Sequence, residues 1–225
     1  MFDETAEFGT RLVDAHLAAG TYHRATVLVN AVSRVTPQGG KVLDYGCGAG
    51  RISLLIARRG ISVLGVEPSR ELVRLANAQE APGLPLAFRH ISPSETGGVE
   101  GETFDSILCS SVIEFVPEPL DLLRRLRGLL RPMGCLLLSY ANRASLWRFY
   151  AKLRFGRNER HFNRQLHVWH ESEAWHILRQ ATFERAVSTM FFESPFDRYP
   201  ALGFLSRLRA FGTLGLIIAR RGNGD

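Results

Sequence analysis

The run at residues 42–50, VLDYGCGAG, places glycine at 46, 48 and 50 directly after an apolar stretch. The run at residues 63–69, VLGVEPS, places a carboxylate, Glu67, directly after a second one. Glycine after a strand lets the backbone turn tightly and come close to a ligand. An acid at the tip of the next strand accepts hydrogen bonds from sugar hydroxyls, and together the two hold a nucleoside on an α/β sheet. The spacing argues against a dinucleotide. G-x-G-x-x-G needs its last glycine where this chain has Arg51. The pattern is instead D-x-G-x-G-x-G, led by Asp44. Gly48 alone could serve a turn, and Glu67 alone could be a surface acid. Alternating glycines between a strand and a helix, followed by an acid at the next strand tip, weigh against both.

These residues need a sheet to carry them, and the hydrophobic pattern supplies one. Residues 10–35 read as one or two helices, and Thr36, Pro37 and the Gly39–Gly40 pair stop them. Strands are expected at 41–45, 62–66, 86–91, 104–110 and 135–140. Helices are expected at 51–59, at 69–79 with Ser69 as N-cap, and at 119–130. Such strand–helix alternation predicts a parallel, doubly wound sheet. The remainder differs. A basic aromatic segment at 143–170 precedes a helix at 171–180 and two strands at 183–192 and 213–219, a pattern that suggests an antiparallel hairpin at the sheet edge.

The chain has 225 residues, 45% hydrophobic and 22% charged, which fits one domain with a full core. Its organisation is expected to be a single domain over 1–225, with N-terminal helices in 1–38 and an inserted lid at about 143–170. No apolar run approaches the ~20 residues that cross a bilayer. The start, MFDETAEFGTRL, lacks the basic and apolar regions of a signal peptide. Cys47, Cys109 and Cys135 form no CxxC pair and suggest neither disulfide nor zinc. A cytoplasmic location is expected. The net charge of +6 comes almost wholly from arginine, since Lys41 and Lys152 are the only lysines. Arginine density at 143–164 leaves room for an anionic partner, a membrane surface or an acidic substrate.

Led by Asp44, the loop resembles motif I of the class I S-adenosylmethionine (SAM) methyltransferases, and the likeness is close over about residues 41–133. It implies an α/β fold with a mostly parallel seven-stranded sheet and an antiparallel C-terminal edge strand. It also implies SAM as cofactor and S-adenosylhomocysteine as product. Carried over residue by residue, Gly46, Cys47, Gly48 and Gly50 form the cofactor loop, and Asp44 helps hold the ammonium end of SAM. Glu67 accepts both ribose hydroxyls, with Pro68 beside the adenosine. Ser92 stands where the family often has an aspartate that contacts adenine, with Glu95 as an alternative acceptor. Cys109 and Ser110 end strand four beneath the transferable methyl. The family's [ND]-P-P-[YF] box for DNA and protein-glutamine substrates is replaced by SSVIEFVPEP. The acids of the metal-dependent catechol enzymes have no match beside Asn142, so no metal is expected. SVIEFV is similar to the "VIEHV" signature of small-molecule enzymes such as the ubiquinone-biosynthesis O-methyltransferases, with Phe115 in place of the histidine.

The resemblance implies methyl transfer to a small acceptor, aromatic, lipidic or anionic, at an oxygen. Such a displacement depends mainly on alignment, and a hydroxyl acceptor also benefits from a base. In the family the substrate lid follows strand five. Here that place holds His161, His167 and His170 among Trp147, Tyr150, Phe155, Phe162 and Trp169. His167 or His161 is the expected base, and Tyr140 a wall or hydrogen bonder; ordinary loop roles compete for each. The mixture of arginine and aromatics in this segment and at 196–211 is also suited to peripheral membrane contact. Two further classes stand beside the leading one. A non-catalytic SAM-binding partner is favoured by the missing histidine. An RNA methyltransferase is suggested by charge alone, and no separate RNA-binding module supports it.

Overall fold

The computed structural model describes residues 21–79, 82–92, 99, 101–155, 165–185, 190–192 and 203–223. The elements are α1 (Thr21–Val35), β1 (Lys41–Tyr45), α2 (Arg51–Ala57), β2 (Ser62–Glu67), α3 (Arg70–Asn77), β3 (Leu86–His90) and β4 (Phe104–Ser110). After a 3₁₀ turn (Ile113–Phe115) come α4 (Pro119–Leu129), β5 (Leu130–Ala141), α5 (Leu146–Phe155), α6 (Glu171–Gln180), β6 (Phe183–Arg185) and β7 (Met190–Phe192). A second 3₁₀ turn (Gly203–Arg207) leads into β8 (Leu214–Arg221). The expected strands and helices between 41 and 180 are all present.

The sheet runs β3-β2-β1-β4-β5-β8-β6, with β7 also paired to β8. β1 to β5 are parallel, and β8 is antiparallel to both of its neighbours. The C-terminal hairpin does lie at the sheet edge. Within it the last strand sits inside, against β5, and β6 and β7 take the outer place. The single strand expected at 183–192 is two short segments. Five residues advance between Arg185 and Met190 against three between Ala219 and Leu216, so the ladder shifts register between them.

β1 (KVLDY), β2 (SVLGVE) and β4 (FDSILCS) are buried almost end to end, as expected of parallel strands covered on both faces. Their alternation splits the core in two. On one face Val42, Leu108, Leu137 and Ile218 pack under Leu28 and Val32 of α1 and Ile56 of α2. On the other, Leu43, Ile107, Leu136 and Ile217 pack under Leu122 and Leu126 of α4 and Trp175 and Leu178 of α6. Strand order reverses between β1 and β4, which opens a crevice at their carboxyl ends, where doubly wound folds bind ligands. Asp105, at the other end of β4, accepts from the Lys41 N–H (2.7 Å) and from Arg131 (2.6 Å), and so ties the strand starts together.

Candidate active site

Asp44 ends β1 on the α2 face. It is 3% exposed, and its Oδ2 accepts from Ser53 Oγ of α2 at 2.5 Å. Burial raises its carboxyl to about 6; the Ser53 hydroxyl and the charge of Arg24 oppose the rise, and the charge of Glu67 adds to it. Beyond it the N–H groups of Gly46 and Cys47 both donate to the Val66 carbonyl, at 2.8 and 3.1 Å, which stitches the loop to the end of β2. Glu67, also buried, bridges outward. Its Oε2 accepts from the Gly48 N–H and its Oε1 from the Ser69 N–H, each at 3.0 Å. Burial raises the Glu67 carboxyl, and these two N–H donors pull it back. Ser69 caps α3 by accepting from the Leu72 N–H at 3.3 Å.

This cradle fits the adenosyl group. A carboxylate offers about four lone-pair sites, and the two N–H groups use one on each oxygen of Glu67, leaving acceptors for a ribose diol. Gly48 has φ +56° and open space where a Cβ would stand, so its backbone is bare to a ligand. Gly46 and Gly50 have a different cause. A Cβ there would meet Val112 Cγ2 at 2.3 Å or the Phe88 ring at 2.4 Å, so the protein's own packing requires glycine. Cys47 is held in the loop, with its thiol raised well above the ordinary value by burial first and by the charges of Asp44 and Glu67 next, the reverse of an activated nucleophile. Pro68 is half-buried, and its carbonyl is 3.1 Å from His90 Nε2. Ser92 lies half-buried just past β3, and Glu95 lies outside the described residues.

The period of two decides the acceptor side. Ser110 of β4 and Ser139 of β5 face α1, with their Oγ atoms 3.1 Å apart. Arg24 of α1 donates to Ser110 Oγ at 3.1 Å and to Ser111 Oγ at 2.8 Å, and the Ser111 N–H donates to Ser139 Oγ at 2.9 Å. Cys109 and Tyr140 point the opposite way, into the core under α4 and α6. Tyr140 is 1% exposed, its ring lies over Gly215, and its hydroxyl has no partner among the described residues. Burial raises both groups, Cys109 and Tyr140, far from any acidic role.

His167 belongs to a strap at residues 165–170. Its Nε2 is 3.0 Å from the Val116 carbonyl, and its ring is 5.7 Å from that of Trp169. The strap is hung from the turn after β4: the N–H groups of Leu166 and His167 donate to the Glu114 carbonyl at 2.8 and 3.2 Å. It is also tied to β5, where the Trp169 N–H donates to the Ala141 carbonyl at 3.0 Å. His161 lies outside the described residues. The structure thus brings Asp44, Gly46, Cys47, Gly48, Gly50, Glu67 and Pro68 together at one rim, and sets Cys109 and Tyr140 on the opposite face. Three features escaped the sequence. Ser110 was expected beneath the methyl, but its partner Ser139, near the end of the buried strand β5, was not, although its position was an available signal, as was that of an acid, Glu114, amid apolar neighbours. Arg24, 86 residues from Ser110, carried none.

Residues 18–188 match the family described as "Methyltransferase domain". A ubiquinone biosynthesis O-methyltransferase of Xanthomonas axonopodis pv. citri (strain 306) is 35% identical over 112 residues, 49% of this chain and 47% of that protein. The chain thus spans about half the length of the curated relatives it matches. Among solved structures, the complex of the Haloferax volcanii Trm112 methyltransferase activator with its methyltransferase aligns with a TM-score of 0.73 at 16% identity, covering 99% of this chain and 98% of that one. Magnesium protoporphyrin IX methyltransferase from Synechocystis PCC 6803, solved with SAH bound, aligns with a TM-score of 0.66 at 22% identity, covering 89% and 83%. At these identities the two structures speak to the fold. Together with the acid–glycine-loop–acid rim, the family match makes this chain a member of the methyltransferase-domain family, a class I SAM-dependent methyltransferase.

Proposed function

We propose that this chain transfers the methyl group of SAM to a hydroxyl oxygen of a small aromatic or lipidic acceptor, without a metal, and releases S-adenosylhomocysteine. The observation that carries the reading is a polar floor beside the cofactor cradle. Ser110, Ser111, Ser139 and Arg24 form it at the ends of β4 and β5, next to Glu67 and Gly48 at the ends of β2 and β1. Bound SAM supplies a methyl carbon already activated by its positive sulfur. The chain's work is then placement, which alone contributes ~7–11 kcal/mol to such a reaction. Glu67 fixes the ribose, Asp44 meets the ammonium end, and the bare backbone at Gly48 sets the approach. The described parts of the expected lid, α5 and the strap at 165–170, roof the acceptor. The named activity of the Xanthomonas relative supports oxygen as the atom methylated.

Exposed apolar side chains on α5 and the strap support a lipidic acceptor and peripheral membrane contact. Leu146, Phe149 and Leu153 are 57%, 69% and 77% exposed, and Leu166 lies nearby in sequence on the strap. No helix among the described residues is long and apolar enough to cross a membrane. The site of action is the cytoplasm, at or near a membrane face. The test is transfer of labelled methyl from SAM into a metabolite extract, read by mass spectrometry. Label in a hydroxylated small molecule upholds the proposal. Label in RNA alone replaces it with an RNA methyltransferase, and tight SAM binding with no transfer replaces it with a non-catalytic SAM-binding partner.

A further inference from the structure

Glu114 follows β4 by four residues, in the 3₁₀ turn that carries the strap. It is 1% exposed, and neither carboxyl oxygen has a partner at full hydrogen-bond geometry among the described residues, although its own N–H and the Ser111 hydroxyl lie close enough to favour the charged form. A buried acid without a partner is costly, and a purely architectural one would be paired. Its backbone explains how it is held there. The Glu114 carbonyl accepts from both Leu166 and His167, so the strap closes directly over the turn. The groups that face the carboxyl are Arg24 from α1, Arg148 from α5, Ser111 beside the turn and Cys109 from β4. Arg24 simultaneously holds Ser110 and Ser111, and Arg148 donates to Gln165 at the start of the strap at 2.6 Å. The unpaired acid therefore sits among the groups that build the polar floor and the roof. His167, by contrast, has its Nε2 engaged by the Val116 carbonyl.

We propose that Glu114 is the general base of the acceptor site, taking the proton of the hydroxyl that is methylated. The assignment rests on the hydroxyl-methylation reading above. The acceptor oxygen forms the new O–C bond with its own electron pair, the C–S bond breaks with its pair staying on sulfur, and the hydroxyl proton passes to Glu114 and later to water. Burial lifts the carboxyl to about 7 against the pull of its own backbone N–H first, then of Arg24, Arg148 and the Ser111 hydroxyl. An acid so poised exchanges protons efficiently near neutrality.

The test uses the full chain, Glu114→Gln and Glu114→Asp, with octylcatechol as acceptor probe. Alongside activity, SAM affinity is read by calorimetry, and thermal unfolding of each protein is followed from about pH 5 to about pH 8. Glu114→Gln should lower kcat about 10²–10⁴-fold with KM and SAM affinity little changed, and Glu114→Asp should recover part of the loss. Because the folded carboxyl titrates above the unfolded one, the Tm of Glu114→Gln should climb relative to wild type as pH rises through that range. A pH-independent Tm gap overturns the assignment. So does a Glu114→Gln enzyme with wild-type kcat, or one impaired in KM alone, while the wild type methylates octylcatechol; the function reading then stands without this base. A wild type that binds SAM but methylates neither octylcatechol nor other alkylated phenols removes the function reading and the assignment together.

Discussion

Asp44 and Glu67 are carboxylates that burial pushes toward their neutral forms, and a ligand bearing an ammonium and a ribose diol is what relieves them. The apo protein is the less stable for it. Asp44 titrates near 6 when folded against 3.8 as a free acid, so its burden is absent below about pH 4 and grows until it is complete above about pH 6. Asp44→Asn should therefore stabilise the ligand-free protein by of order 3 kcal/mol at neutral pH and leave it unchanged near pH 4. Urea unfolding at both pH values checks this. The same variant should bind SAM more weakly. In the wild type, SAM affinity should fall as pH drops through about 6, as calorimetry across that range would read. Glu67→Ala, which strips the ribose acceptor and leaves the Gly48 and Ser69 N–H groups unpaired, should weaken SAM binding by roughly 1–3 kcal/mol.

Among the elements, the junctions around the site depend on a few short polar side chains. Asn142, just past β5, is fully buried. Its Nδ2 donates to the carbonyls of Arg209 and Gly212 at 2.7 and 2.8 Å, and its Oδ1 accepts from the Ala144 N–H at 3.0 Å. It thus anchors the segment before β8 and the entry to α5, whose first N–H, at Leu146, donates to the Ala210 carbonyl at 2.7 Å. Asn142→Leu would leave those backbone groups unpaired at about 1–3 kcal/mol each. The expected result is a lowered Tm and proteolytic cleavage near residues 209–212, with SAM affinity near the wild-type value. A change of SAM affinity without cleavage would place Asn142 in the site itself. Ser69→Ala removes the cap of α3 and should cost about 0.5–2 kcal/mol in denaturant unfolding.

At the scale of the whole molecule, the two core faces share one sheet, and the ligand site lies along its carboxyl rim, touching both. Ligand binding should therefore report as global stability. SAM present at about 100 times its Kd should add about 2.7 kcal/mol, visible as a raised Tm. Nicotinamide dinucleotides should shift nothing, since Arg51 stands where their fingerprint needs glycine. Equal stabilisation by a nicotinamide dinucleotide would contradict the cofactor assignment. Truncating Leu137, fully buried under α1, to alanine should cost about 2–5 kcal/mol. Excess SAM should restore part of the lost Tm, since the rim remains intact.

Local chemistry was enough to read much of this from the chain alone. β1, β4 and α6 have the bounds that the apolar runs and stop signals predict, and Ser69 caps the helix it was expected to cap. The glycine loop and Glu67 were legible because their work is done within adjoining strand ends. α5 was not legible as a helix. Leu146, Phe149 and Leu153 recur at helical spacing, but they lie in a segment dense in arginine and aromatics and face solvent rather than a core. Spacing alone puts Ser139 and Tyr140 on opposite faces of β5, but it could not say which face meets the site, pair Ser139 with Ser110 of β4, or bring Arg24 to Ser110. Those outcomes depend on strand register and on a helix docking from far along the chain. Glu114 makes the same point: its residue type was in plain view, but that both its oxygens are buried and unpaired is a property of what folds around it.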